Sequence, residues 1–219
     1  MKKLLLTFVF SLFYVTSASA DLGVNVGVSG QAGLFAASAT ESTGSTVKGN
    51  GTEHGSAGWG SVFLEATMND RFIVGIDYVP AALETETTET AKSDKGVAAV
   101  TATAVTNTVQ VDFDELTTLY VGVMVTENLY VKAGTTTVDV ITNENLGTGA
   151  AYGNTELDGS MFAVGYHKVM DNGIFFRAEG TVMNFDGAKL NSTGTAADNS
   201  IELTDLDGVS GKVSIGKSF

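Results

Sequence analysis

Six charged residues carry the first chemical signal in this chain. Glu65, Asp77 and Glu179 offer three acids, and Lys132, Arg177 and Lys212 offer three bases, each set in an otherwise apolar or small-residue segment. A mid-segment charge facing hydrocarbon costs a few kcal/mol. Six of them on one common face therefore predict an enclosed face on which opposite charges pair. Two histidines are the only candidates for histidine catalysis. His54 lies in Gly51-Thr52-Glu53-His54-Gly55, where Glu53 could join it in acid-base or metal work, but the setting reads as a solvated loop. His167 follows Ser160 by seven residues. Along one strand that is about 23 Å, too far for a Ser-His pair to share a proton. No catalytic residue is assigned, and the chain is not expected to be an enzyme. Glu84, Glu86 and Glu89 match no calcium-loop spacing and read as a negative surface, as do Asp205, Asp207 and the run Asp112 to Glu115. Neither a metal site nor a cofactor is expected.

The elements that must position these charges show period-two alternation over about ten residues, broken by Gly, Asn, Asp and Thr clusters. Eight such segments are legible. The first, Leu22 to about Ala36, sets Leu22, Val24, Val26, Val28, Ala32 and Leu34 against Asn25, Gly27, Ser29 and Gln31. In the second, Val62, Leu64, Ala66 and Met68 oppose Ser61, Phe63, Glu65 and Thr67, and after residues 69–71 the third exposes Phe72, Val74, Ile76 and Tyr78. The fourth ends Leu119, Val121, Val123, Val125 and turns at 126–128 into a fifth, Leu129 to about Val140. The sixth, about Leu157 to Val169, turns through Met170-Asp171-Asn172-Gly173 into the seventh, Ile174 to Phe185. Asn-Gly is a strong hairpin signal. The eighth runs from about Gly208 to Phe219.

Three connectors are short (69–71, 126–128, 170–173), while four are long and polar (about 38–58, 80–107, 142–156 and 186–207), and they alternate. This is the asymmetry of a transmembrane β-barrel with short periplasmic turns and long extracellular loops, and an even strand count puts both termini in the periplasm. The expected fold is an all-β, eight-stranded, antiparallel up-and-down transmembrane barrel over residues 21–219. Aromatic residues near strand ends (Trp59, Phe72, Tyr78, Tyr120, Tyr130, Tyr166, Phe185 and Phe219), where they face lipid, would form the interfacial belts.

Composition sets the frame. The chain has 219 residues, 26 glycines, one proline, no cysteine, and 25 acidic against 12 basic side chains, for a formal net charge of −13. Disulfides and thiolate chemistry are excluded, and nucleic acid is not an expected partner. Lys2-Lys3, the apolar run Leu4 to Val15 and Ala18-Ser19-Ala20 form a secretory signal with cleavage after Ala20. Its apolar run covers about 18 Å as a helix, short of a membrane span. With no cysteine after it, an N-terminal lipid anchor is not expected.

The C-terminal Val213-Ser214-Ile215-Gly216-Lys217-Ser218-Phe219 resembles the last strand of bacterial outer-membrane proteins, with Phe219 in the terminal position and Lys217 departing from the usual apolar residue. Leu129 to Gly134 and Gly173 to Glu179 resemble hairpin-flanking strands of the same proteins. The chain is similar to the small outer-membrane β-barrel family that includes the OmpA transmembrane domain and the opacity proteins. That resemblance implies recognition of Val213, Ile215 and Phe219 by the barrel-assembly machinery. It also implies lipid and lipopolysaccharide as surroundings, and no wall-tethering role, since no peptidoglycan-binding segment follows. An omptin-like protease, with its ten-stranded barrel and loop carboxylates, does not fit this length.

Function follows as two main alternatives, with a lipid-modifying enzyme using His167 as a distant third. In the first, the six charges plug the lumen and the loops act structurally or as an adhesive surface toward an extracellular partner. In the second, glycines 75, 122, 134, 165 and 216 leave a water path, and the barrel is a narrow porin-like channel for small solutes or ions.

Overall fold

A computed structural model of the chain describes residues 21–85, 87–94, 103–147, 150–194 and 198–219. The signal segment with Ala18 and Ala20 lies outside the described residues, as does Glu86.

Strands β1 (Leu22–Thr43), β2 (Thr46–Met68), β3 (Phe72–Tyr78), β6 (Thr103–Met124), β7 (Leu129–Asn145), β8 (Thr155–Val169), β9 (Ile174–Phe185) and β11 (Asn199–Ser218) pair in that order, and β11 pairs back to β1. Every pairing is antiparallel, so the ring is an eight-stranded up-and-down barrel. Three short segments lie off the ring. β4 (Leu83–Glu84) and β5 (Thr88–Asp94) run along β6 beyond the end of β3, and β10 (Ala188–Asn191) runs along β11 beyond the end of β9.

The three short turns follow local chemistry. Asn69 and Asp70 both take positive φ (52° and 51°), the handedness that suits a tight hairpin, and Arg71 N–H donates to Met68 O at 3.1 Å. Gly173 also has positive φ (79°), and Asn172 Oδ1 accepts from Ile174 N–H at 3.0 Å. In the middle turn, Thr126 Oγ1 accepts from the backbone N–H of Leu129 at 3.0 Å and of Asn128 at 3.3 Å.

The long connectors differ from expectation. Residues 38–58 are no loop, because β1 and β2 stay paired up to Thr43↔Thr46 around a turn in which Gly44 has φ 57°. Likewise β11 begins at Asn199 rather than near Gly208, and β7 continues to Asn145. Backbone ladders rather than apolar alternation carry these strands, and their Thr, Gly, Ala and Asn side chains hide them from a periodicity search. A bulge at Asp114/Thr117, with Glu115 at φ 51°, shifts the pairing of β6 with β7, from Asp114↔Asp139 to Thr117↔Thr137.

The alternation changes sign along the barrel. Toward the short turns, apolar side chains point out and polar ones in: Val164, Val182, Val213 and Phe176 are exposed while Lys132, Arg177 and Glu179 are buried. Toward the long hairpins, Val138, Leu157, Met183, Phe185 and Leu206 are buried inside. Their strand neighbours Glu156, Asp158, Asn184, Asp205 and Asp207 are exposed. On β8 the apolar exterior lies between exposed Asp158 and exposed Lys168. Ten residues of tilted strand make a band about 25 Å tall.

Candidate functional site

The barrel interior is built in two layers. The layer toward the short turns is ionic. Arg177 on β9 grips Glu65 on β2 with both terminal guanidinium nitrogens, Nη1 and Nη2, each 2.6 Å from a carboxylate oxygen. Lys132 on β7 sits between Glu65 (3.2 Å) and Glu179 (3.1 Å). The same carboxylate oxygens also accept hydrogen bonds from neutral donors: Tyr120 Oη to Glu65 (2.8 Å), Tyr130 Oη to Glu179 (2.8 Å) and Asn25 Nδ2 to Glu65 (3.2 Å). Lys212 on β11 meets Asp77 on β3 at 2.6 Å. Aromatic faces cover the cations: Lys132 Nζ lies 4.4 Å from the centre of the Tyr120 ring and 4.9 Å from that of Tyr130, and Arg177 Cζ lies 4.6 Å from that of Phe175. Such a set, once removed from water, holds because Glu65, Glu179, Lys132 and Arg177 each have both a counter-charge and a neutral donor or ring.

All six charges noted in the sequence are thus on the inner face. Glu179 takes Lys132 and Tyr130 as partners, and Arg177 takes Glu65. Sequence reasoning did not find the lumenal role of Tyr120 and Tyr130, which it grouped with Trp59 and Phe185 among the aromatics that would form belts where they face lipid. These four are buried inside, while Phe72, Tyr78, Tyr166 and Phe219 are exposed on the exterior. The available clue was glycine. Gly75 faces Tyr120, Gly165 faces Tyr130, Gly27 faces Phe63 and Gly216 faces Phe175 across adjacent strands. In each case an added methyl group would overlap the ring. The glycines therefore seat side chains: the rings close the space that the channel alternative assigned to water at 75, 165 and 216. Lys132 covers Gly122, and the β6 backbone abuts Gly134.

The second layer, toward the long hairpins, is apolar. Trp59, Val79, Leu116, Val138, Leu157, Met183, Phe185 and Leu206 form one buried cluster, with Phe35, Phe113 and Met161 packed against it. A cavity of about 30 Å³ remains between the layers, lined by Gln31, Asp77, Lys132 and Lys212 below and Trp59, Leu116 and Met183 above. A space of that size takes no more than a few water molecules.

Beyond this layer the hairpins form a crown tied by hydrogen bonds: Gly44 N–H to Asp198 O (2.7 Å), Thr193 N–H to Ala151 O (2.7 Å) and Gly147 N–H to Asn107 Oδ1 (3.0 Å). Burial, with the carboxylates of Glu41 and Glu144 nearby, pushes the Tyr152 phenol above its ordinary value. The crown exterior is acidic, with Asp114, Asp139 and Glu156 side by side on β6, β7 and β8. Among the described residues, no group of three or more His, Asp or Glu side chains is arranged to hold a metal ion.

His54 is exposed on β2, and Ser160 is exposed on the face of β8 opposite to His167. His167 lies inside near the short turns, edge-on to Phe175 with ring centres 4.9 Å apart. Ser160 and His167 therefore do not meet. At the other terminus, Val24 and Phe219 exchange two backbone hydrogen bonds (3.1 and 2.9 Å), closing the ring, and Val213 and Ile215 face outward on the closing strand.

A closed antiparallel ring of eight strands with an apolar exterior band and a filled interior is the architecture of a transmembrane β-barrel. Solved structures of similar fold are found among outer-membrane proteins. The outer membrane protein OprG from Pseudomonas aeruginosa matches with a TM-score of 0.56 at 12% identity, covering 90% of this chain and 96% of that one. Ail, the attachment invasion locus protein of Yersinia pestis, in complex with the heparin analogue sucrose octasulfate, matches at 0.42 and 10% identity over 88% and 99% of the two chains. The outer membrane protease OmpT from Escherichia coli matches at 0.42 and 8% identity over 93% and 98%. No protein-family model and no curated protein matches the sequence. The OprG likeness shows the fold: this chain has the eight-stranded barrel fold of a small outer-membrane protein such as OprG.

Proposed function

We propose that the protein is a non-enzymatic outer-membrane barrel with a plugged lumen, working as a structural element and through its crown as an adhesive surface. The short turns and both termini lie in the periplasm and the crown outside the cell. The carrying observation is the double filling of the lumen, in which an ionic layer braced by Glu65 and Arg177 lies beneath a separate apolar layer centred on Leu157 and Phe185. A solute crossing the barrel would have to part both, and the space between them has room for only a few waters. Val213, Ile215 and Phe219 on the closing strand serve recognition by the assembly machinery, and the apolar band meets lipid and lipopolysaccharide.

The test is single-channel conductance of refolded protein in a planar bilayer, alongside attachment of cells displaying the barrel to immobilised matrix proteins or other cells. A silent bilayer, with attachment that falls when the β1–β2 hairpin is trimmed to membrane height, is the expected result. Steady conductance at the single-molecule level would replace this reading with the narrow channel.

A further inference from the structure

In the crown the long strand β2, like the short β4, β5 and β10, has a neighbour on one side only. Val24 and Phe219 exchange backbone bonds, so even-numbered residues of β1 direct their N–H and C=O groups toward β11 and odd-numbered ones toward β2. Through the register Asn25↔Glu65, odd-numbered residues of β2 face β1 and even-numbered ones face away from it. Up to Val62↔Tyr78 those even residues bond to β3. There the ladder stops. Val79 N–H turns to Leu116 O, and the chain's single proline, Pro80, has no N–H to give. The segments that follow, β4 and β5, take the ring position beside β2 but pair only with β6. Among the described residues, the outward backbone groups of Asn50, Thr52, His54, Ser56, Gly58 and Gly60 thus have no strand partner.

We propose that this free edge of β2 is a docking site for an extended, basic segment of a partner protein, added as an antiparallel strand. The inference rests on the crown being an interaction surface. Strand addition to an exposed sheet edge takes its affinity from main-chain bonds and needs a rigid, accessible edge. Rigidity comes from β1, whose two edges are occupied by β2 and β11 out to Thr43. Access comes from composition, because Gly58 and Gly60 place no side chain on the outer face. Edge strands are commonly guarded by prolines and several lysines, and this one carries Lys48 alone. Charge selects the occupant. Glu53 is exposed on the strand itself, Glu84 and Glu89 are exposed on the segments across from it, and the whole chain is strongly acidic. A second copy in the same membrane would present β2 running the same way, which does not allow antiparallel pairing of the two edges.

The experiment uses the full-length barrel in detergent micelles and a fluorescent twelve-residue peptide of alternating lysine and threonine, read by anisotropy. Two control peptides accompany it: one with glutamate for lysine, and one with the lysines kept but alternate backbone nitrogens methylated. The unmodified basic peptide is expected to bind at least about tenfold tighter than either control. The double variant Thr52→Pro/Ser56→Pro, which removes edge N–H groups and leaves the β1 ladder intact, should lose that advantage. Thr52→Ala/Ser56→Ala should keep it, which separates the edge from the Ser38–Thr52 side-chain bond (2.9 Å). A heat-modifiable gel shift checks that each variant is folded. Equal binding of the methylated peptide, or undiminished binding to the folded proline variant, would overturn the proposal. So would a peptide-free dimer that the prolines dissociate, since it would assign the edge to a second copy. Cell attachment that survives the prolines but not trimming of the hairpin would end this inference and leave the surface role standing.

Discussion

The two layers of the interior solve one packing problem by opposite means. The ionic layer fills space with long charged side chains and rings seated on glycines, and stays ordered only while every charge is matched. The apolar layer fills space by contact alone and tolerates local loss. The difference tracks the exterior. Where the outer face meets hydrocarbon, apolar side chains are used outside and polar ones enclosed. Where the outer face meets water, the wall takes the form of a soluble barrel with an apolar core.

The sharpest way to break the comparison is to damage both layers at once. Glu65→Ala combined with Leu157→Ala should turn a silent bilayer into a conducting one, while either change alone leaves it silent. Conductance in a single variant would show that one layer seals the lumen unaided. Taken separately, Glu65→Ala should cost about 3–5 kcal/mol in urea unfolding from lipid vesicles, because Arg177 is left buried without its counter-charge. Leu157→Ala should cost about 2–4 kcal/mol by the same assay, as a cavity in a contact-filled layer. Gly165→Ala tests the seat: displacing the Tyr130 ring should cost about 1–3 kcal/mol and loosen Tyr130 from Glu179. Lys189→Ala, breaking a half-exposed pair with Glu202 at 3.6 Å, should move the midpoint by less than about 0.5 kcal/mol. A large effect there would mean that crown charges are as tightly organised as the lumenal ones.

Much of the ionic layer was legible because strand parity is local. Arg177 and Glu179 lie two apart, opposite Phe176 and Ala178, and no tertiary information is needed to place them on one face. The tyrosines were not legible in the same way. Tyr130 shares parity with Lys132, but what distinguishes a lumenal ring from a belt ring is the glycine facing it, and that depends on inter-strand register. The apolar layer escaped for a different reason. Trp59, Leu157 and Phe185 keep the inward parity of the charges, so a reading that assumes polar-inside throughout has no place for them. The crown strands of residues 38–58 were missed because hydrogen-bonded backbone leaves no mark on a Thr- and Gly-rich sequence.

The change of sign along the wall also sets how deeply the barrel rides. A downward slip of one residue pair would carry Asp158, Asp207 and Asp139 toward hydrocarbon, and an upward slip would lift Phe162, Val182 and Val209 into water. Both displacements are uphill, the first by desolvating acids and the second by wetting aliphatic surface. The barrel therefore has a fixed draught, and whatever approaches the crown finds it at one constant height above the bilayer.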